Sequence, residues 1–353
     1  MEEKNQRNLG QKISSRDPFL DIVKGLLIIL VLIGHTIQYA NGVDYSNSGA
    51  FYENPTFKYI YGFHMPLFMA ISGYLFHYSI NKKSSFEILF SKSQTLLIPI
   101  FTFAFIVYIY HFNPEYTFFD QIRNYLSKTR YTLWFLWASF YCSISTLLVN
   151  KLFKDNLLVY SIMILGSFLT PDIWFSELYK FMAPCFLFGY FSNKYDLISK
   201  LKKHPIKTLL ISTILYILLL FFYKTETYVY MSGSCIISDG VISLNQLLIN
   251  IYRTITGIVG SISFTSTIFV IRKHTTRFSN LWNVLIKFGN ITLGIYCFQT
   301  YFWFYYTGQI HQICESLFLN NIISFLLSLA ISTLLSILLS KNKITNLLFL
   351  GGR

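Results

Sequence analysis

The sequence predicts an all-α, polytopic membrane protein with about ten transmembrane helices in one domain. Three observations carry this. Hydrophobic residues make up 53% of the chain and charged residues only 13%, where a soluble domain carries about 25% charged. Phe contributes 35 residues and Tyr 26, an apolar surface that lipid can cover and water cannot. Apolar runs near the roughly 20 residues that cross a bilayer core follow one another with no Gly/Ser- or Pro-rich linker between them.

In chain order the runs place helices near 19–40, 57–80, 93–112, 131–149, 157–170, 176–192, 206–223, 246–271, 281–306 and 320–340, the fifth being short. Residues 1–18 are expected as a cytoplasmic tail, 19–340 as the membrane domain and 341–353 as a second cytoplasmic tail. The first run is no cleavable signal peptide: it is long, lacks a small-residue cleavage site and contains Lys24 and His35.

Positive charge sets the expected orientation. With the N-terminus inside, Lys82, Lys83, Lys92, the 194–207 connection, Arg272, Lys273 and Arg277 all fall on the inner side. The outer loops hold only Lys58, Arg123, Lys128, Arg130 and Lys224, together with acids such as Asp44, Glu53, Asp172 and Glu315. Only the 113–130 loop blurs the rule. The net charge of +13 is thus an orientation signal suited to an anionic inner leaflet, and nucleic acid is not an expected partner. No internal repeat is visible, which weighs against a transporter. Cys142, Cys185 and Cys297 lie in apolar runs, Cys235 and Cys314 in outer loops where a disulfide between them is one option. None of the cysteines has metal-ligand spacing, and no metal is expected.

Four cations remain inside the spans: Lys24, Lys180, Arg253 and Lys287. A charge at a helix centre costs at least ~2.5–3.5 kcal/mol, so each is a candidate functional residue. Snorkelling from a helix edge is the plainer alternative for Lys180 and Lys287. Lys24 belongs to a pattern. At about 100° per residue, Lys24 and His35 fall roughly 20° from alignment, with Asp21 roughly 40° to the other side. One narrow face of the first helix therefore presents an acid, a base and an imidazole. The alternative is a salt bridge at the helix start beside an unrelated buried histidine.

His64, Arg253 and Gln299 come out at nearly the depth of His35, all below the outer edge. Singly, each is explained by a helix–helix hydrogen bond; together they suggest a shared cavity. A buried imidazole can take a hydroxyl proton near neutral pH. Arg253, Gln299, Lys180 and Trp134 are candidates for holding an acceptor or a developing oxyanion. Lys24, Asp21 and Lys287 lie near the inner face, where phosphates of a cytosolic donor would meet them. Trp134 and Trp137 suit either an aromatic belt or a sugar-stacking surface.

These residues resemble the acyltransferase family 3 integral membrane proteins, and within them the fucose 4-O-acetylase-like branch. The resemblance rests on RDPFLDIVKGLLIILVLIGH (16–35) and YGFHMPLFMAISGYLF (61–76), supported by LLIPIF (96–101), LWFLWASF (133–140), FLFGYF (186–191) and FGNITLGIYCFQ (288–299). It implies an acyl-CoA donor, usually acetyl-CoA, and a hydroxyl of a surface polysaccharide or lipid-linked sugar as acceptor. It implies catalytic roles for His35 and His64 and a donor role for Lys24. Gln299 stands where the family usually has His, Thr95 where a basic residue is common, and no esterase-like domain is fused. Ser72 and Gly73 are expected to permit close helix packing. The resulting expectation is a multi-pass O-acyltransferase, most simply an O-acetyltransferase, of a bacterial plasma membrane. A transporter or flippase for a glycan or organic acid is the alternative.

Overall fold

A computed structural model describes residues 18–174, 176–238, 240–275, 279–309 and 313–352. The chain enters on α1 (Phe19–Tyr39) and returns through short helices α2 (Val43–Ser48) and α3 (Pro55–Tyr61) into α4 (His64–Lys82). Helix α5 (Ser85–Lys92) passes through a π-turn at Ser93–Leu97 into α6 (Ile98–Tyr110), followed by α7 (Phe118–Tyr131), α8 (Trp134–Phe153), α9 (Leu157–Phe168) and α10 (Ser176–Lys194). Next come α11 (Leu197–Lys203), α12 (Pro205–Phe221), α13 (Val229–Ser232) and a two-stranded antiparallel hairpin of β1 (Ile237–Ser238) and β2 (Val241–Ile242). Last come α14 (Leu244–His274), α15 (Ser279–Asn290), α16 (Thr292–Gln309), α17 (Leu317–Ser340) and α18 (Lys343–Leu350).

This is an all-α multi-pass membrane architecture. Each of the ten apolar runs falls on helix. Among the described residues, four helices are long and apolar enough to cross a bilayer, or up to seven if each sharply bent pair is one span. Of the other runs, α9 has only 12 residues, while α4 and α10 bury His64 and Lys180. Local sequence explains the helix starts. Ser84 and Glu87 form a reciprocal capping box on α5, and Thr117, Asn156, Ser243 and Asn342 each cap a following helix through their side-chain oxygens.

Two differences from the predicted layout matter. The 113–130 loop contains α7, which turns 79° against α8. The expected C-terminal tail is packed: Phe349 sits 5.5 Å from Phe103 between ring centroids, Leu350 is buried, and Gly351 lies against Thr95. Cys235 and Cys314 are not bridged to each other. Their thiols donate to Ile237 O and Ser316 O within their own loops, so the disulfide option is not realised.

Small residues set the helix crossings, as expected where lipid gives apolar side chains little reason to prefer each other. A Cβ on Gly25 of α1 would stand 2.1 Å from Leu285 O, and one on Gly289 would stand 1.9 Å from Asp21 O. Helix α15 is thereby locked against the first turns of α1. A second crossing joins α4 to α10, where a Cβ on Gly73 would lie 1.9 Å from Phe186 O and one on Gly189 1.8 Å from Ala70 O. At its other end α1 is held by Asn320 of α17, whose amide donates to Ala40 O at 2.5 Å.

The α4–α10 crossing should be intolerant of a single methyl group. Gly73→Ala and Gly189→Ala are expected to destabilise by at least about 1–3 kcal/mol, read as a lower thermal midpoint in detergent. Gly166→Ala, which meets nothing within 4 Å, should leave the midpoint unchanged.

Candidate functional site

Lys24, Ile28 and Val31 recur at helical spacing on one stripe of α1 and line a cavity of about 440 Å³. Its size lies within the ~300–1,000 Å³ usual for small-molecule sites. Met65, Phe68, Ser72 and Ser79 of α4 form a second wall, with Lys92, Leu96, Phe135, Ser139, Asn290, Thr292 and Tyr296 completing it. The wall between α15 and α16 is a broken helix: the two meet at 71° around Ile291. Broken backbone is tolerated at membrane depth where it lines a cavity.

The cavity lining includes two lysines, Lys24 and Lys92. Lys24 pairs with Asp21 at 2.7 Å, and its side chain keeps 15% exposure. Lys92 Nζ lies 5.2 Å from the centre of the Phe76 ring. Sequence reasoning assigned Lys92 to an inner loop and missed it here. The π-turn that follows inserts one residue, rotating what precedes it by roughly 100°. Helix α5 thus supplies a cation from one turn before Thr95, where the family pattern leads one to look. Tyr296, Asn290 and Thr292 were also missed; the only signal for them was their place in the 288–299 block.

Of the lining residues, Val31, Met65 and Tyr296 each lie within one helical turn of His35, His64 or Gln299. His35 itself is not among the cavity-lining residues. Its Nδ1 lies 2.6 Å from Gln299 Oε1. The Gln299 amide nitrogen donates to Tyr296 O at 3.2 Å and Thr300 Oγ1 at 3.0 Å. The amide is therefore oriented with oxygen toward His35, so Nδ1 is the donor and carries the proton. Nε2 of the neutral ring is left with its lone pair, and the residue is only partly buried. His64 follows the same logic: its Nδ1 donates to Ile60 O at 2.9 Å. The Tyr61 ring lies 4.7 Å from His64 and against Gly34, the residue before His35.

On the far side of His64, a small cavity is lined by His64, Trp134, Phe181, Tyr223 and Tyr230 among others. Arg253, only 2% exposed, stacks behind Phe181 at 6.0 Å. Its Nη2 donates to Ser232 Oγ at 2.8 Å, but Nε and Nη1 have no hydrogen-bond partner. A buried polar group left unpaired is costly, and a guanidinium beside a cavity is built to receive an oxygen ligand.

Two predicted site residues are elsewhere. Lys180 donates to Thr170 O at 2.6 Å, Pro171 O at 3.2 Å and Asp172 Oδ1 at 2.7 Å. Those three bonds use every N–H it has. Lys180 pins the 169–174 segment rather than offering a donor to an acceptor. Lys287 is exposed, on the side of α15 opposite the buried Leu285 and Gly289, and does not line the donor-side cavity. Two residues from each buried neighbour is roughly 200° around the helix, which is why it points away. Ser72 lines the cavity and donates to Phe68 O at 3.0 Å, and Gly73 makes the close α10 contact already described.

Comparison with known proteins accords with this geometry. The family described as Acyltransferase domain matches residues 17–341. The nodulation protein NolL of Mesorhizobium japonicum is 34% identical over 186 residues, 50% of this chain and 48% of its own length. The nodulation protein NolL of Sinorhizobium fredii is 38% identical over 143 residues, 40% of this chain and 37% of its own. The chain thus spans less than half the length of these curated relatives. No solved structure matches it.

The contrasting cations can be separated by stability. Lys180→Met leaves the Asp172 carboxylate without its cation and is expected to cost about 3 kcal/mol, seen as early thermal unfolding. Lys287→Gln should leave the thermal midpoint where it was.

Proposed function

The chain belongs to the Acyltransferase domain family, and on that premise we propose that it is a membrane O-acetyltransferase. In this reading it moves an acetyl group from acetyl-CoA to a hydroxyl of a cell-surface polysaccharide or its lipid-linked precursor. The end of the bundle bearing Lys24, Lys82, Lys83 and Lys92 faces the cytosol of a bacterial plasma membrane, with both termini on that side, by the charge asymmetry described above. The blocks at 16–35 and 61–76 support a fucose 4-O-acetylase-like branch within that family.

The observation that carries this reading is the His35–Gln299 hydrogen bond at 2.6 Å, within one helical turn of Val31 and Tyr296 in a cavity whose lining also includes Lys24 and Lys92. Lys24 and Lys92 suit the phosphates of a CoA donor as charge-assisted donors. The narrow, mostly apolar stretch along Ile28, Val31 and Phe68 suits the uncharged arm, delivering the thioester toward His35. Asp21 holds Lys24 in place.

The chemistry then needs only these residues. The acceptor hydroxyl gives its proton to His35 Nε2 as its oxygen attacks the thioester carbonyl. The new C–O bond forms, the C–S bond breaks, and the proton passes from His35 to the departing thiolate. Gln299 keeps Nδ1 protonated throughout, so Nε2 is the nitrogen that shuttles. His64, with the same tautomer fixed by Ile60 O, lies on the acceptor side together with Arg253 and Trp134, where it orients the attacking hydroxyl.

His35→Ala in the purified protein should lower acetyl-CoA-dependent acetylation by about 10²–10⁴-fold, followed as free thiol release and acetylated glycan. Retention of full activity would remove the proposal's centre. Gln299→Leu leaves the His35 N–H without an acceptor, at about 1–3 kcal/mol. That should appear as roughly a ten- to hundredfold fall in kcat with little change in donor KM. In cells, loss of glycan export with acetylation intact would instead favour a transporter.

A further inference from the structure

The cations that break the charge asymmetry have no place in the chemistry above. Arg123 and Arg130 both sit on α7, seven residues apart, which puts them on one stripe two turns from each other, roughly 10.5 Å along the axis. Helix α7 lies at 79° to α8, so where α8 spans the bilayer α7 runs close to its surface. Its apolar residues stay uncovered: Phe118 is 73% exposed, Phe119 79% and Leu126 54%. A helix with an apolar face toward lipid and a cationic stripe beside it is an interfacial element.

Between α7, α8 and the 169–174 segment run two cavities of about 410 and 740 Å³ that share Arg130, Trp137, Tyr141 and Trp174. They form one groove. Arg123 lines one end and Trp134 the other, and Trp134 also lines the small cavity that holds His64. The Arg130 guanidinium is stacked 4.0 Å over Trp174. Trp137 stacks on Tyr141 at 5.6 Å and donates to Thr129 O at 2.9 Å, fixing α7 over α8. Among the described residues, no carboxylate makes an ion pair with Arg123 or Arg130.

We infer that this groove is the lateral docking site for a membrane-tethered acceptor, a sugar carried on a long isoprenoid phosphate. The phosphate sits on the Arg123–Arg130 stripe, whose planar forks match phosphate oxygens. The lipid chain lies along the exposed apolar side of α7. The sugar crosses the indole faces of Trp137 and Trp134 toward His64. Arg123 and Arg130, unpaired on a side that the charge asymmetry leaves poor in cations, are explained by an anion that arrives there. This inference rests on the acyltransferase reading and narrows it, since an acceptor dissolved in water would need neither the lipid-facing apolar side nor the phosphate site.

Binding can be measured without the donor, so it fails independently of the catalytic proposal. The full-length protein in phosphatidylcholine nanodiscs would be titrated with a polyprenyl monophosphate, followed by tryptophan fluorescence and native mass spectrometry. The corresponding polyprenol should bind at least tenfold more weakly. Arg123→Gln with Arg130→Gln should cost at least tenfold, Arg130→Lys part of that, and the exposed Arg123→Gln alone should weaken binding in a protein that still folds. Equal competition by phosphatidylglycerol would make the groove a general anionic-lipid anchor, and equal competition by inorganic phosphate a free-anion site. Either result, or an unaltered affinity in the double variant, overturns the inference. Loss of His35-dependent thiol release in the parent protein would count against the acyltransferase reading alone.

Discussion

The hydrogen bond between His35 and Gln299 is the contact on which the rest of the site depends. A neutral imidazole has two tautomers, and only one leaves Nε2 as a base. Here a neutral amide selects it, and the amide is itself oriented by Tyr296 O and Thr300 Oγ1. The bond is 264 residues long in sequence, so it exists only if α1 and α16 are placed to well within an ångström. That placement comes from α15. The Gly25 and Gly289 backbones fix α15 against the start of α1, and the 71° break redirects the chain so that α16 runs back along α1 to His35. The far end of α1 is fastened separately through Asn320 and Tyr306.

Broken helices appear wherever the cavity needs a wall. The α15–α16 break contributes Asn290 and Thr292, and the π-turn before α6 contributes Leu96 and follows Lys92. Each break frees backbone groups that lipid cannot satisfy, so each must face polar protein or a wet space. The packed C-terminal helix serves the same end. Its terminal glycines close over Thr95 and Gln94 at the π-turn, covering backbone that would otherwise meet lipid.

What the sequence disclosed follows from what helical periodicity can carry. Lys24, Ile28, Val31 and His35 share a stripe because 3.6 residues per turn makes them share it, and the structure lines a cavity with the first three. Depth was legible too, which is how Gln299 and His35 came to be expected at one level. Angle between helices was not, so their hydrogen bond could not be foreseen. Gln299 was recognised as a departure that loses a proton carrier; that it would orient its neighbour is a tertiary fact. Helix α7 was missed because its run is too short and too polar to read as a span, and Lys92 because a π-turn leaves no mark in an apolar sequence. Lys287 was misassigned because its depth suited a donor while its helical face did not.

Lys180 and Arg253 look alike in sequence, each a lone cation inside an apolar run, and each is almost completely buried. Their partners separate them. Lys180 has three acceptors, one of them a carboxylate that Ser234 N and Cys235 N also hold, so its charge is compensated and its function is to tie a connection down. Arg253 has one hydroxyl partner and two nitrogens with none. Removing a cation from water costs several kcal/mol unless the site returns those interactions, and Ser232 alone does not return them. The deficit lies beside the cavity of His64 and Trp134, on the side from which the acceptor comes in the proposed reaction. In the proposed reaction an oxygen of that acceptor, supplied only when it is bound, would complete the guanidinium's bonds and bring the hydroxyl to the histidines in one step. Underbonding in the free protein would then favour a ligand that carries such an oxygen.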